Sequence, residues 1–67
     1  MTKSDRKEFA QCVALLAYPH YAQAACSGLA TLHRMLGRKD QAEIIALVAS
    51  KGLQEHFSTI NGALVAH

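Results

Sequence analysis

Six residues of this chain have the side-chain types that most often hold zinc or form a nucleophile–base pair. They are two cysteines and four histidines: Cys12, Cys26, His20, His33, His56 and His67. No pair of them has the close spacing of a structural zinc site. A cysteine could pair with a histidine as nucleophile and base, but the sequence shows no third orienting group and no obvious oxyanion site. We therefore expect no catalytic residue, no metal and no cofactor.

Ordinary packing accounts for these residues more simply. Cysteine often fills small apolar space in a core. Cys12 and Cys26 are fourteen positions apart, roughly 21 Å along one straight helix, which is beyond the reach of a disulfide. His33 falls near the end of a predicted helix, where a cation is favoured by the helix dipole. Nothing here requires an oxidising compartment.

The totals indicate one small, folded domain that needs a partner. The chain has 67 residues, of which 51% are hydrophobic and 18% charged. Such a composition is too apolar for disorder, yet a chain this short buries only about 60% of its unfolded surface, so its own core is marginal. The net charge is +2, and basic and acidic residues alternate, which does not favour nucleic acid as a partner.

The amino-terminal region bears some likeness to a signal peptide, with basic residues before an apolar run. Asp5 and Glu8 in the leading part and Gln11 within the apolar part argue against it. No apolar run reaches the length of about 18 residues that spans a bilayer. We expect a soluble, cytoplasmic protein that does not bind a membrane.

Hydrophobic periodicity predicts an all-α domain over residues 1–67, with helices at about 4–17, 19–36, 40–51 and 53–66. Ser4 is the predicted N-cap of the first helix. Pro19 predicts a break, because it disfavours helical geometry at Tyr18 and suits the first position of a new helix. A single helix kinked at Pro19 is the alternative, since one apolar pattern continues across it.

The second half of the chain contains further predicted helix ends. Gly37 is expected to close the second helix in a left-handed conformation, and Asp40 with Glu43 to form a capping box that starts the third. Gly52 predicts a Schellman ending in which Leu53 packs against Val48. Spacings of four, three and four then predict an amphipathic fourth helix, whose stripe is Leu53, Phe57, Ile60 and Leu64.

Small residues in the central region fit a tetratricopeptide pattern. The chain reads Cys26-x2-Leu29-Ala30-x2-His33, then Gly37, then Ala42-x3-Ala46 and Ala49. Alanines fall where paired helices must approach closely, while Cys26, His33 and Ala46 replace aromatic residues of the repeat. The pattern predicts antiparallel, tetratricopeptide-like helical hairpins built from three to four helices, although alanine-rich hairpins also match it by chance.

A more specific likeness spans residues 13 to 53. It rests on His20-Tyr21, Ala24, Cys26, Leu29-Ala30, Leu32, Gly37, Ala42, Ile45, Leu47, Ser50 and Gly52. In these positions the chain resembles the small tetratricopeptide-like chaperones of bacterial type III secretion needle subunits. The resemblance implies a cytoplasmic protein that, with a small helical co-chaperone, holds the amphipathic helix of the needle subunit and prevents premature polymerisation.

Nine residues are the predicted partner contacts. By the resemblance, the first helix of the hairpin lines the groove with Ser27, Thr31, Arg34 and Met35. So small a domain cannot bury all its large side chains, which adds Tyr18, Tyr21, Phe57, Ile60 and Leu64. Ordinary core packing is the alternative for the last group.

Two other classes of function stay open. A homodimeric helical regulator would bury the alanine and leucine stripes between two copies. A helix-turn-helix DNA binder is suggested by the turn at residues 36–40, but the helix after it begins with acidic residues and continues mostly apolar.

Overall fold

The computed structural model describes residues 1–67 and shows three α-helices followed by a β-hairpin. Helix α1 spans Lys3–Leu15, α2 spans Ala22–Met35 and α3 spans Arg38–Ser50. Strands β1, Phe57–Ile60, and β2, Ala63–Ala66, form a two-stranded antiparallel sheet. Two 3-10 turns, Pro19–Tyr21 and Gln54–His56, precede α2 and β1. The protein is therefore mostly helical, as expected, but it is not purely α.

Helix α2 is the centre of the packing. It contacts α1, α3 and β2, and its residues Leu29 and Leu32 are almost completely buried. These two join Ile44 and Val48 of α3 and Leu64 of β2 in one core cluster. Only nine of the 67 residues are buried, so the core is as small as the chain length predicts.

The chain breaks at Pro19, as the sequence predicts. Tyr18 has extended backbone angles, and Pro19 begins a 3-10 turn before α2 starts at Ala22. Because the proline has no amide hydrogen, it cannot continue the hydrogen-bond ladder of α1. The predicted helix over residues 19–36 is thus a 3-10 turn followed by a shorter α-helix.

Two predicted helix caps lie elsewhere. Thr2, not Ser4, caps α1: its Oγ1 accepts the Asp5 N–H at 3.1 Å, while Asp5 Oδ2 accepts the Thr2 N–H at 3.2 Å. Helix α3 begins two residues earlier than predicted, with Gly37 as its N-cap. Gly37 has φ −76° and is extended, so it is not the left-handed residue that we expected.

Asp40 instead serves as an ion-pair partner. As the third residue of α3 it accepts a hydrogen bond from the Met1 ammonium at 2.8 Å. The helix dipole favours a carboxylate in this first turn. The Met1 side chain is fully covered and packs against the core, so this contact ties the start of α1 to the start of α3.

Gly52 ends α3 as predicted. Its φ is +67°, the Leu53 N–H donates to the Val48 carbonyl at 3.0 Å, and the Gly52 N–H donates to the Ala49 carbonyl at 3.1 Å. This pair of bonds is the Schellman motif. Leu53 packs against the cluster that contains Val48, which is the hydrophobic contact that the motif usually carries.

The predicted helix over residues 53–66 is wrong, because this segment is a β-hairpin. Asn61 and Gly62 have φ values of +52° and +79°, which matches a two-residue type I′ turn for which Asn-Gly is the preferred sequence. Thr59 pairs with Leu64 in the register. Phe57 and Leu64 therefore share the inner face of the hairpin, whereas Ile60 lies on the opposite face. The helical spacing of these apolar residues was coincidental.

Candidate protein-binding surfaces

Helix α3 is apolar on two sides, and the domain covers only one of them. Ile44 and Val48 are buried against α2 and β2. A second stripe at helical spacing is exposed, and it consists of Ala42, Ile45, Ala46 and Ala49. Ile45 leaves 44% of its surface exposed. The first half of α3 is polar and only its second half is apolar on both sides, so this stripe is the apolar part of the helix that the domain leaves uncovered.

Strand β1 forms an open edge of the sheet. The sheet has two strands, and β1 pairs only with β2. Strand β2 packs against α2, and its Leu64 carbonyl accepts a hydrogen bond from Arg34 Nη1 at 3.0 Å. The outer side of β1 is where the sheet can accept a further strand, as open edges do.

A groove joins these two features. Its volume is about 190 Å³, and it is lined by Ile45, Val48, Ala49, Gln54, Phe57, Ser58, Thr59 and Leu64. None of these residues is charged. We call the exposed stripe of α3 together with the outer edge of β1 the α3–β1 face.

The two predicted aromatic contacts, Tyr18 and Tyr21, are exposed. Their side chains keep 59% and 54% of their surface, and their rings pack edge to face with centroids 6.4 Å apart. Between them, Pro19 borders a separate cleft of about 320 Å³, which is lined by Pro19, Ala22, Gln23, Cys26, Leu53, His56 and His67. The structure thus places the tyrosines at the junction of α1 and α2, away from the α3–β1 face.

The predicted contacts on α2 are exposed, but several of them bond within the domain. Thr31 Oγ1 donates to the Ser27 carbonyl at 3.0 Å, and Arg34 Nη2 donates to Thr31 Oγ1 at 3.4 Å. Arg34 also holds β2 through the Leu64 carbonyl. Met35 makes no such contact and is 69% exposed. Arg34 therefore helps to hold the hairpin against α2, whereas Thr31 bonds only to residues of its own helix.

The three predicted contacts from the last segment are separated by the hairpin. Leu64 is 3% exposed and belongs to the core. Phe57 packs against the core and also lines the groove. Ile60 is 58% exposed on the opposite face of the hairpin. Of the three, only Phe57 lies where a partner on the α3–β1 face would meet a hydrophobic side chain.

The cysteines are protected by their surroundings. Burial raises the pKa of the Cys12 thiol, and the Glu8 carboxylate raises it further. Burial also raises the pKa of the Cys26 thiol. Because the thiolate is the nucleophile, both groups are poorly reactive near neutral pH. No three His, Cys, Asp or Glu side chains converge to hold a metal ion.

The histidines serve different local roles. His33 is buried, its Nδ1 has no hydrogen-bond partner, and burial, followed by the charge of Arg34, lowers its pKa. His67 Nε2 is hydrogen-bonded to Ser58 Oγ, and the His67 N–H donates to the His56 carbonyl at 2.9 Å. These last contacts close the open end of the hairpin.

Sequence reasoning missed the α3–β1 face. One signal was available: positions 42 and 44–49 are all apolar, more than one buried stripe requires. The other was Asn61-Gly62 between two short apolar runs, the strongest local indication of a hairpin.

The chain has no significant match to a family model, to a curated protein or to a solved structure. None of its helices combines the length and the hydropathy needed to cross a membrane.

Proposed function

We propose that this protein acts by binding another protein and catalyses no reaction. The observation that carries the proposal is the exposed apolar stripe of α3. A contiguous apolar surface of this kind is typical of an interaction site. The uncharged groove beside it would accept an apolar anchor from the partner, which is how partner side chains usually provide binding energy.

The size of the core supports the same proposal. About half of the residues are hydrophobic, but only eight hydrophobic residues are buried. The accessible surface is 4535 Å², compared with about 4,160 Å² expected for a compact protein of this mass. Covering the α3–β1 face with a partner would remove part of this excess from water and stabilise the domain.

The resemblance of residues 13 to 53 names a specific role. On that basis the protein is a cytoplasmic, tetratricopeptide-like chaperone of a type III secretion needle subunit, and it acts with a small helical co-chaperone. An amphipathic helix held in an apolar groove is unavailable for self-assembly, so such binding would prevent premature polymerisation. The turn of two residues between α2 and α3 is compatible with the helical hairpin that this role requires.

Co-expression with candidate needle subunits and small helical co-chaperones of type III secretion tests the role. We expect a tight heterocomplex that co-purifies, and we expect Ile45→Glu to weaken it at least tenfold by placing a charge on the stripe. Ala10→Glu is the matched control, because Ala10 is exposed on α1, away from the stripe. Failure of every such protein to co-purify would overturn the secretion role.

DNA binding is the second candidate, and one feature favours it. Helices α2 and α3 are joined by a turn of two residues, and Arg38 and Lys39 are exposed at the start of α3, as the helix-turn-helix hypothesis requires. The rest of the exposed side of α3 is apolar, and neither strand carries a lysine or an arginine, so few phosphate contacts are available. Titration with a duplex at 50 mM salt tests this: salt-sensitive, tight binding would favour DNA over a protein partner.

A further inference from the structure

The backbone of β1 leaves one residue ready to pair with another strand. In a hairpin with a two-residue loop, alternate residues turn their N–H and C=O groups towards the partner strand. The main-chain N–H and C=O groups of Ser58 and Ile60 thus bond to β2. Those of Phe57 and Thr59 point away from β2, towards the outer edge of the sheet. The Phe57 N–H already donates to the Gln54 carbonyl. Thr59, which is exposed, therefore offers both a free donor and a free acceptor.

This edge is complementary to itself. If two β1 strands run antiparallel with Thr59 opposite Thr59, each residue donates its N–H to the carbonyl of the other. We propose that the α3–β1 face is a homodimer interface, in which two copies join their β1 strands into a four-stranded antiparallel sheet. The inference rests on the proposed function only in that both require another protein chain to bind this face.

The same arrangement covers the exposed stripe of α3. The groove places Ile45 and Ala49 of α3 beside the outer edge of β1. A strand added at that edge lies over these residues, and two-fold symmetry brings the second copy's α3 next to the first. The alanines at positions 42, 46 and 49 permit a close approach of the two helices. One interface thereby supplies hydrogen-bond partners to the free strand edge and removes the apolar stripe from water.

Charge selects this face for self-association. Each copy carries a net charge of +2, so two copies repel one another where basic residues meet. The groove residues are all uncharged, and the basic residues Arg38 and Lys39 lie at the beginning of α3. Two identical positive chains can therefore meet at an uncharged groove, with the exposed Arg38 of each copy at the end of its stripe.

A stable dimer would need both the outer edge of β1 and the exposed stripe of α3 to bury enough surface area. A stable interface buries about 800 Å² per partner, roughly a sixth of the 4535 Å² that the domain exposes. Strand β1 alone is only about 13 Å long and cannot provide this area. Helix α3 adds a length of about 20 Å, so on this 29 × 27 × 17 Å domain the interface must include the stripe of α3 as well as the strand edge.

Sedimentation of the purified chain across 1 µM to 1 mM tests the proposal. We expect the wild-type chain to sediment at twice 7.3 kDa at the upper concentrations. Thr59→Pro removes the free N–H from the outer edge without removing a bond to β2. It should raise the dimer dissociation constant at least tenfold, whereas Thr59→Ala, which keeps the N–H, should raise it less than threefold.

A second pair of variants reports on the helix stripe. Ala46→Glu should also weaken the dimer at least tenfold, because it places a carboxylate on the exposed stripe that each copy would bury, and Ala10→Glu should leave it unchanged. Circular dichroism of each variant confirms that the monomer is still folded. A wild-type monomer at 1 mM, or a dimer that neither Thr59→Pro nor Ala46→Glu weakens, overturns the inference.

The outcomes also separate this inference from the secretion role. A monomer that forms a heterocomplex with the secretion proteins rejects the homodimer and retains the chaperone. A homodimer that does not bind those proteins supports the homodimer inference and rejects the chaperone role. A monomer that binds none of them rejects both.

Discussion

At the scale of single residues, His33 is the polar group whose environment differs most from water. Its side chain is buried at 6% exposure, and its Nδ1 lacks a partner. Burying a polar group without a hydrogen bond is costly, and burying it charged costs more. The pKa of His33 is therefore lowered from its ordinary value of 6.5, and the folded protein holds the imidazole neutral.

The unfolded chain consequently binds a proton at His33 more tightly than the folded chain does. Above the ordinary pKa, protonation of His33 does not lower the free energy of unfolding, and this free energy decreases as the pH falls below that value. This decrease is at most about 1.4 kcal/mol per pH unit. Urea unfolding between pH 7.5 and 5 should show this loss. His33→Leu should flatten the profile, while His20→Gln, at an exposed position, should not; equal profiles for all three proteins would contradict the prediction.

Gly28 sets how closely α1 and α2 can pack. A methyl group at this position would lie 2.7 Å from Cys12 Sγ, closer than two such atoms can be. Alanine is favoured over glycine inside a helix by about 1 kcal/mol, and the clash opposes that gain. The effect of Gly28→Ala therefore depends on what occupies position 12.

A double-mutant cycle measures this dependence. We expect Gly28→Ala to be neutral or destabilising with Cys12 present, and to stabilise the Cys12→Ala background by up to about 1 kcal/mol. The coupling free energy should be about 1 kcal/mol, which is usual for residues in contact. Additive unfolding free energies from urea titration would show that the two side chains do not constrain each other.

At the scale of elements, the hairpin depends on its turn. Gly62 has φ +79°, a conformation that strains any residue with a Cβ. Gly52, with φ +67°, has the same requirement at the end of α3. Gly37 does not, because its φ is negative and a methyl there would meet no atom within 4 Å.

These three glycines should therefore respond differently to the same substitution. Gly62→Ala and Gly52→Ala should each lower the free energy of unfolding by about 1–2 kcal/mol. Gly37→Ala should lower it by only about 0.5 kcal/mol, because alanine is the poorer N-cap but is not strained there. Chemical denaturation of the three variants checks this, and an equal cost at all three positions would show that the left-handed backbone is not the cause.

At the scale of the whole molecule, a small core couples stability to association. The buried cluster contains five large hydrophobic residues, and the stripe of α3 that includes the half-exposed Ile45 stays outside it. A partner that binds only the folded state stabilises it by mass action. For a homodimer, the partner concentration is the protein concentration itself.

Thermal unfolding should consequently depend on concentration. Each tenfold rise in protein concentration should raise the midpoint of the wild-type transition by about 5 °C, given the entropy of unfolding of a domain this size. The midpoint of Thr59→Pro should change less over the same range, because its dimer is weaker. A wild-type midpoint that stays constant from 10 µM to 1 mM would exclude coupled association.

The sequence by itself determined the helical part of this protein. The apolar spacing of Leu29 and Leu32, the missing amide of Pro19 and the left-handed requirement at Gly52 act through neighbours within about one helical turn, so they can be recognised without a fold. The hairpin was also encoded locally by Asn61-Gly62. A coincidental helical spacing of apolar residues outweighed that signal.

Only the tertiary structure decided which apolar residues stay exposed. The sequence cannot distinguish the buried Ile44 from the half-exposed Ile45, since both are apolar and adjacent; the packing of α3 against α2 and β2 makes the difference. Likewise, the cap of α3 depends on Gly37 and the placement of Asp40 on the distant Met1. The open edge of β1 exists because β2, and not β1, packs against α2. Such contacts join residues far apart in the chain, and therefore the candidate binding face could be located only once the chain was folded.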